Sequence, residues 1–158
     1  MVLVSEGAGI VSQLFPVEQS ERTSDDYLTP RWVFDTLGLT FDLDVAAPPW
    51  ETHVPATRKY TKADDGLTAP WKGRVWMNPP WSGPARWVDR FIEHRHGVAV
   101  VPWAKSQWSI NLWDAADGIC LPPTWHKWDG DESIFISWFF AAFGPECVEA
   151  IGRLGRVR

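Results

Sequence analysis

The run Val98-Ala99-Val100-Val101 is apolar at four successive positions, and it constrains the fold more than any other stretch of the chain. A strand with one wet face alternates. A continuous β-branched run belongs to a strand covered on both faces, as in a parallel sheet flanked by helices. Arg74–Met77 reads as a second strand. Between the two, Pro84 opens a helix in which Trp87, Val88, Phe91 and Ile92 form a core-facing stripe. Strand, helix and strand over residues 74–102 make a βαβ unit, and a right-handed crossover into a parallel sheet follows.

The remaining segments extend this α/β pattern. Thr29-Pro30 starts a helix with a hydroxyl cap and a proline in the first turn, and Gly38 stops it. Phe41–Val45 alternates apolar and acidic residues, as a strand with one buried face does. Residues 50–72 read mainly as loop, with a short strand or turn near Arg58–Thr61. Ser106–Ala116 is helical in pattern and Gly118–Leu121 is a short strand. Ser133–Phe140 is strongly β-prone, and Pro145–Leu154 closes the domain as a helix before a basic tail of Arg153, Arg156 and Arg158. The expectation is one domain over residues 25–158 behind a loosely ordered arm, residues 1–24. Its sheet is expected to be mostly parallel with an antiparallel C-terminal strand.

At 158 residues the chain is large enough for one well-buried core. No apolar run approaches the ~20 residues of a membrane span, and the N-terminus lacks a basic leader, so a cytoplasmic protein without membrane contact is expected. Cys120 and Cys147 lack metal-ligand spacing and read as buried free thiols; no metal site is expected. The net charge of −5 has the wrong sign for a protein that holds DNA mainly by its phosphates. Basic residues still gather locally, at Arg58, Lys59 and Lys62 and at Arg86, Arg90 and Arg95, the last three along one side of a helix. Of the twelve tryptophans, Trp32, Trp76, Trp87, Trp113 and Trp138 fall in periodic apolar segments and read as core. Trp50, Trp71, Trp81, Trp103, Trp108, Trp125 and Trp128 sit near loops and element ends, where some would face a groove.

Ligands of open α/β sheets bind beyond the carboxyl ends of the strands. Asp44, Asn78 and Pro102 fall at such ends. Asn78-Pro79-Pro80-Trp81 is the chemically loaded one. It joins a side-chain amide, two prolines that fix backbone direction, and an aromatic face. Those are the parts needed to hold a nucleobase amine before an electrophilic methyl group.

Four segments occur in order: Asp26-Tyr27-Leu28-Thr29-Pro30, Phe41-Asp42-Leu43-Asp44-Val45-Ala46-Ala47, Asp64-Asp65-Gly66-Leu67 with Trp71, and Val75-Trp76-Met77-Asn78-Pro79-Pro80-Trp81. In that order and spacing the chain resembles the small phage-type DNA N6-adenine methyltransferases, over about residues 25–105. The resemblance implies a compact Rossmann-like methyltransferase sheet and S-adenosylmethionine as cofactor. It places Tyr27, Thr29 and Pro30 at the methionine end of that cofactor, Asp44 and Ala46 in the turn beside it, and Asp65 near the adenosine. It makes Asn78, Pro79, Pro80 and Trp81 the catalytic bend, acting on the N6 amine of a flipped adenine in DNA. The chain departs from the usual pattern in two places. Alanines stand where many methyltransferases have a glycine-rich turn, and Trp81 replaces the more usual Tyr or Phe. The short separation between the two main motifs leaves Glu51 and Asp64 as candidates for the ribose. Loops 48–72 and 121–132 are the expected source of target specificity, and a homodimer would enlarge the DNA footprint. The alternatives are N4-cytosine methylation on the same fold, or a tryptophan-rich module that binds nucleic acid or carbohydrate without catalysis.

Overall fold

The computed structural model of the chain describes Asp25, residues 28–122 and residues 137–158. The expected arm at 1–24, Tyr27, Trp125, Trp128, His126 and the first part of the strand expected at 133–140 lie outside the described residues. The elements run α1 (Arg31–Leu37), β1 (Phe41–Asp44), β2 (Ala56–Lys59), β3 (Val75–Met77), α2 (Ala85–His94), β4 (Gly97–Pro102), α3 (Gln107–Ala115), β5 (Gly118–Leu121), β6 (Trp138–Phe143), α4 (Pro145–Ile151) and β7 (Arg156–Val157). Among the described residues no helix is long and apolar enough to cross a membrane.

The strands form one sheet in the order β2-β1-β3-β4-β6-β5-β7. Pairs β1–β2, β1–β3 and β3–β4 are parallel. Pairs β4–β6, β5–β6 and β5–β7 are antiparallel. The sheet is therefore mixed, which corrects the expectation of a mostly parallel one. The cause is one insertion: β6 threads between β4 and β5, so both of its pairings become antiparallel, and β7 adds a third. Trp138–Phe143 is buried at five of its six positions, a pattern that two-sided burial imposes whichever way a strand runs. The segment read as a basic tail also supplies β7, too short at two residues to leave a periodic signal.

Successive side chains of a strand point to opposite faces, and the core divides accordingly except in β1, where Phe41 and Leu43 join different clusters although two residues apart. Phe41, Trp76, Val98, Val100, Phe140 and Ala142 meet α1 and α4 on one face. Leu43, Val75, Met77, Ala99, Val101, Phe139 and Phe143 meet α2 and α3 on the other. Phe34 of α1 packs edge-on against Trp76 with ring centroids 4.8 Å apart. Cys120 and Cys147 are buried free thiols. This three-layer arrangement leaves the carboxyl ends of β1, β2 and β3 side by side.

Helix α1 departs from expectation at its start. Pro30 is its N-cap, and no side chain bonds the first turn, so the Thr29 hydroxyl does not cap. Gly38 ends the helix as expected, with φ of 63° and its N–H donating to the Phe34 carbonyl at 3.0 Å.

Candidate active site

A cavity of about 620 Å³ opens at the carboxyl ends of β1, β2 and β3. Its wall brings together six of the ten residues singled out from sequence: Thr29, Asp44, Ala46, Asp65, Asn78 and Pro80. Pro30, Pro79 and Trp81 are not in the wall, and Tyr27 is outside the described residues. Pro102 ends β4 but is not in the wall either.

Asn78 follows β3 directly, and the prolines behind it keep the chain from continuing the strand. Its side-chain amide is held from two sides. The Trp81 indole N–H donates to Oδ1 at 2.9 Å, and Nδ2 donates to Thr29 Oγ1 at 3.2 Å. Thr29 is 4% exposed and Trp81 9% exposed, so both partners are buried. The bend is also gripped further on. Asp25 accepts from the Ser82 N–H at 2.8 Å and from its hydroxyl at 2.5 Å, and Gly83 N–H donates to the Pro80 carbonyl at 3.1 Å. The short segment before α1 thus holds the bend at both ends.

Asp44 ends β1 and faces the same cavity at 4% exposure. Burial pushes its carboxyl up to about 7, against smaller opposing effects of the Ala46 N–H, 3.3 Å away, and of Lys59. The turn beyond β1 is laced to the chain after β2: Tyr60 N–H donates to the Asp44 carbonyl and Ala47 N–H to the Tyr60 carbonyl, both at 2.8 Å. Small side chains at Ala46 and Ala47 keep the wall open there.

The Asp64-Asp65-Gly66 turn lies across the end of β1. A β-carbon on Gly66 would sit 2.0 Å from the Val45 carbonyl oxygen, so only glycine fits. The Gly66 carbonyl accepts from Trp71 Nε1 and from Arg90, both at 2.7 Å. Asp65 sits in the left-handed region at φ of 54°, and its carboxylate accepts from Leu67 N–H at 3.2 Å. Asp64 turns back to the Thr61 N–H at 2.9 Å, and Glu51 is exposed; neither is in the wall.

Sequence reasoning missed other parts of the wall. Asp25 has no motif signal of its own. Trp87, read as core from its helical spacing, reaches the cavity, as do Tyr60 and Val54. Trp50, flagged for its loop position, lines the mouth and is 50% exposed. The basic helix face reads differently in three dimensions. Arg90 bonds the Gly66 and Ala69 carbonyls and stacks 4.5 Å from the Trp71 ring centre, while Arg95 lies over Phe143 and pairs with Asp117. Of that trio, Arg86 is the one in neither role. Lys62 lines the cavity, and exposed Arg58 and Lys59 stand just before it on β2.

The family model described as DNA N-6-adenine-methyltransferase (Dam) matches residues 17–121. A curated relative, the DNA N-6-adenine-methyltransferase of Haemophilus phage HP1, is 41% identical over 84 residues, which is 49% of this chain and 47% of that protein. The chain spans about half the length of that relative. No solved structure matches the chain.

Proposed function

The chain belongs to the DNA N-6-adenine-methyltransferase family, and from that premise we propose that it methylates the N6 amine of adenine in DNA, with S-adenosylmethionine as donor. The observation that carries this reading is the meeting of Asn78 and Asp44 in one cavity at the ends of neighbouring strands. The position agrees with a Rossmann-like methyltransferase sheet, in which ligands lie beyond the carboxyl ends of the parallel strands. The domain would run from residue 25 to residue 158.

The cavity suits the donor. Its volume is within the range of small-molecule sites. Asp44 is a buried carboxylate in want of a cation, and Ala46 and Ala47 leave room beside it. Thr29, Asp44, Ala46 and Asp65 would hold the donor, together with Tyr27, and Pro30, outside the wall, would fix the backbone beside Thr29. When bound, S-adenosylmethionine supplies an electrophilic methyl group on sulfur.

The chain's own contribution concerns the amine. Adenine N6 is a poor nucleophile because its lone pair is delocalised into the ring. Asn78 Oδ1 and the Pro79 carbonyl would each accept one of its hydrogens, which orients the lone pair and favours the charge that grows on nitrogen in the transition state. Proline suits the second role because its fixed φ holds the carbonyl in one direction. No general base has to act first, since the proton can leave after the C–N bond forms. The base would be flipped from the duplex at a cost of a few kcal/mol. Trp50, half-exposed where it lines the cavity, would meet it, and Lys62, Lys59 and Arg58 would meet nearby phosphates.

The test is incubation of the protein with tritiated S-adenosylmethionine and unmethylated DNA, followed by digestion to nucleosides. Label in N6-methyladenosine is the expected result. Label confined to N4-methylcytidine, or none on DNA, would overturn the proposal.

A further inference from the structure

Trp81 differs from the phenyl or phenol expected at its position by an indole N–H, and the structure gives that hydrogen a partner. The indole nitrogen is a donor only. At 2.9 Å from Asn78 it must therefore face the amide oxygen, since the opposite flip would set two donors against each other. Across the amide, Thr29 Oγ1 accepts from Nδ2 at 3.2 Å. Both partners are buried, so water is poorly placed to replace either. Asn78 and Thr29 both line the cavity near Asp44, and of the two it is the Asn78 amide that both partners hold in one orientation.

We propose that Trp81 and Thr29 are positioning residues for the methyl transfer described above: they lock the Asn78 amide in the flip that offers an oxygen lone pair to the target amine. This rests on the methyltransferase reading. A carbonyl oxygen has two lone pairs, so one can serve Trp81 while the other meets the amine. The opposite flip would present N–H to N–H and repel the substrate. Thr29 adds a second effect, because a hydrogen bond accepted from Nδ2 polarises the amide and makes Oδ1 a better acceptor. It also explains why the Thr29 hydroxyl leaves α1 uncapped.

Four variants test the proposal: Trp81→Phe, which keeps a ring face and removes the N–H; Thr29→Val, which keeps the shape and removes the hydroxyl; Thr29→Ser; and Asn78→Leu. At saturating S-adenosylmethionine, Trp81→Phe and Thr29→Val are expected to lower kcat about tenfold or more. The KM for DNA should stay within about threefold, as for an interaction felt mainly in the transition state. Thr29→Ser should recover most of what Thr29→Val loses. By NMR, the Trp81 indole N–H resonance, identified by its loss in Trp81→Phe, should move upfield in Asn78→Leu.

Wild-type kcat in either Trp81→Phe or Thr29→Val would overturn the proposal, as would an unmoved indole resonance. Equal impairment of Thr29→Ser and Thr29→Val would overturn it too, by assigning the effect to packing of the methyl group. Thermal unfolding checks that each variant folds, and the Thr29 pair decides the matter if Trp81→Phe does not. Wild-type protein that leaves adenine unmodified would instead defeat the underlying reading, while the NMR comparison still decides whether the amide is held as described.

Discussion

Asp44 and Asn78 sit on adjacent strands and face one cavity, yet their environments act in opposite ways. The Asn78 amide has its polar atoms matched by Thr29 and Trp81. Asp44 is left to burial, which raises its carboxyl to about 7 and outweighs the Ala46 N–H and Lys59. Between the ordinary value of 3.8 and about 7, the folded protein binds this proton more tightly than the unfolded chain. Stability from the neutral carboxyl is therefore lost as pH rises through that window. Asp44→Asn should remove the loss: without ligand, the variant should exceed wild type in thermal stability at pH 8 and approach it near pH 4. Affinity for the cationic donor should meanwhile fall in the variant, and in wild type should rise with pH through about 7. Asn78→Ala should cost methyl transfer about 10²–10³-fold, like loss of a transition-state hydrogen-bond partner elsewhere, with the fold retained. The bend at Asn78 was legible because proline and amide chemistry is local. The contact from Thr29 was not, since it joins residues 49 apart in sequence, and a Thr-Pro pair before a helix reads as a cap on local grounds.

Elements were legible where burial leaves a period. Arg31–Leu37, Ala85–His94 and Gly118–Leu121 fall where the apolar spacing and the Gly and Pro signals place them. Strand direction is a different matter, because side-chain period records which face is covered and carries no sign for parallel or antiparallel. That is why β6 could be seen as a strand, while its insertion between β4 and β5 could not. The turn at Asp65-Gly66 belongs to the same scale, since its value lies in how it meets β1. Gly66→Ala would drive a methyl group into the Val45 carbonyl and against Trp87. The expected cost is about 1–3 kcal/mol, as for overpacking of a filled site, together with weaker donor binding from the displaced Asp65. Urea unfolding and calorimetry would measure the two; full stability in Gly66→Ala would show that the turn yields without strain.

For the whole molecule, the two ends of the parallel strands do different work. The cavity occupies the carboxyl ends. At the amino ends, His96 before β4 bonds Glu146 at the start of α4 at 2.6 Å, and Arg74 before β3 lies 3.7 Å from the same carboxylate. The His96 hydrogen bond, with Arg74 as a lesser influence, holds the Glu146 carboxyl below its ordinary value. A lowered carboxylate contributes stability that is present above the ordinary value of 4.5 and lost as pH falls through the lower, folded one. Glu146→Gln should therefore be less stable than wild type at pH 6, and the two should converge on acidification through the lowered, folded value. A gap that persists at low pH would mean that the side chain acts through packing alone. This clamp lies away from the cavity, so methyl transfer at pH 7 should be little changed in Glu146→Gln. Neither partner carries a motif: the contact spans 50 residues and exists only because β4 and α4 share one end of the sheet.

The most direct test is methylation-sensitive sequencing of DNA from cells that express the wild-type chain or Asn78→Ala, in a host without adenine methylation of its own. N6-methyladenine at a recurring sequence with wild type, and its absence with Asn78→Ala at equal protein level, is the predicted result. Unmodified DNA from a well-expressed, folded wild type, or undiminished marking with the variant, would contradict the assignment of this cavity as a methyl-transfer site.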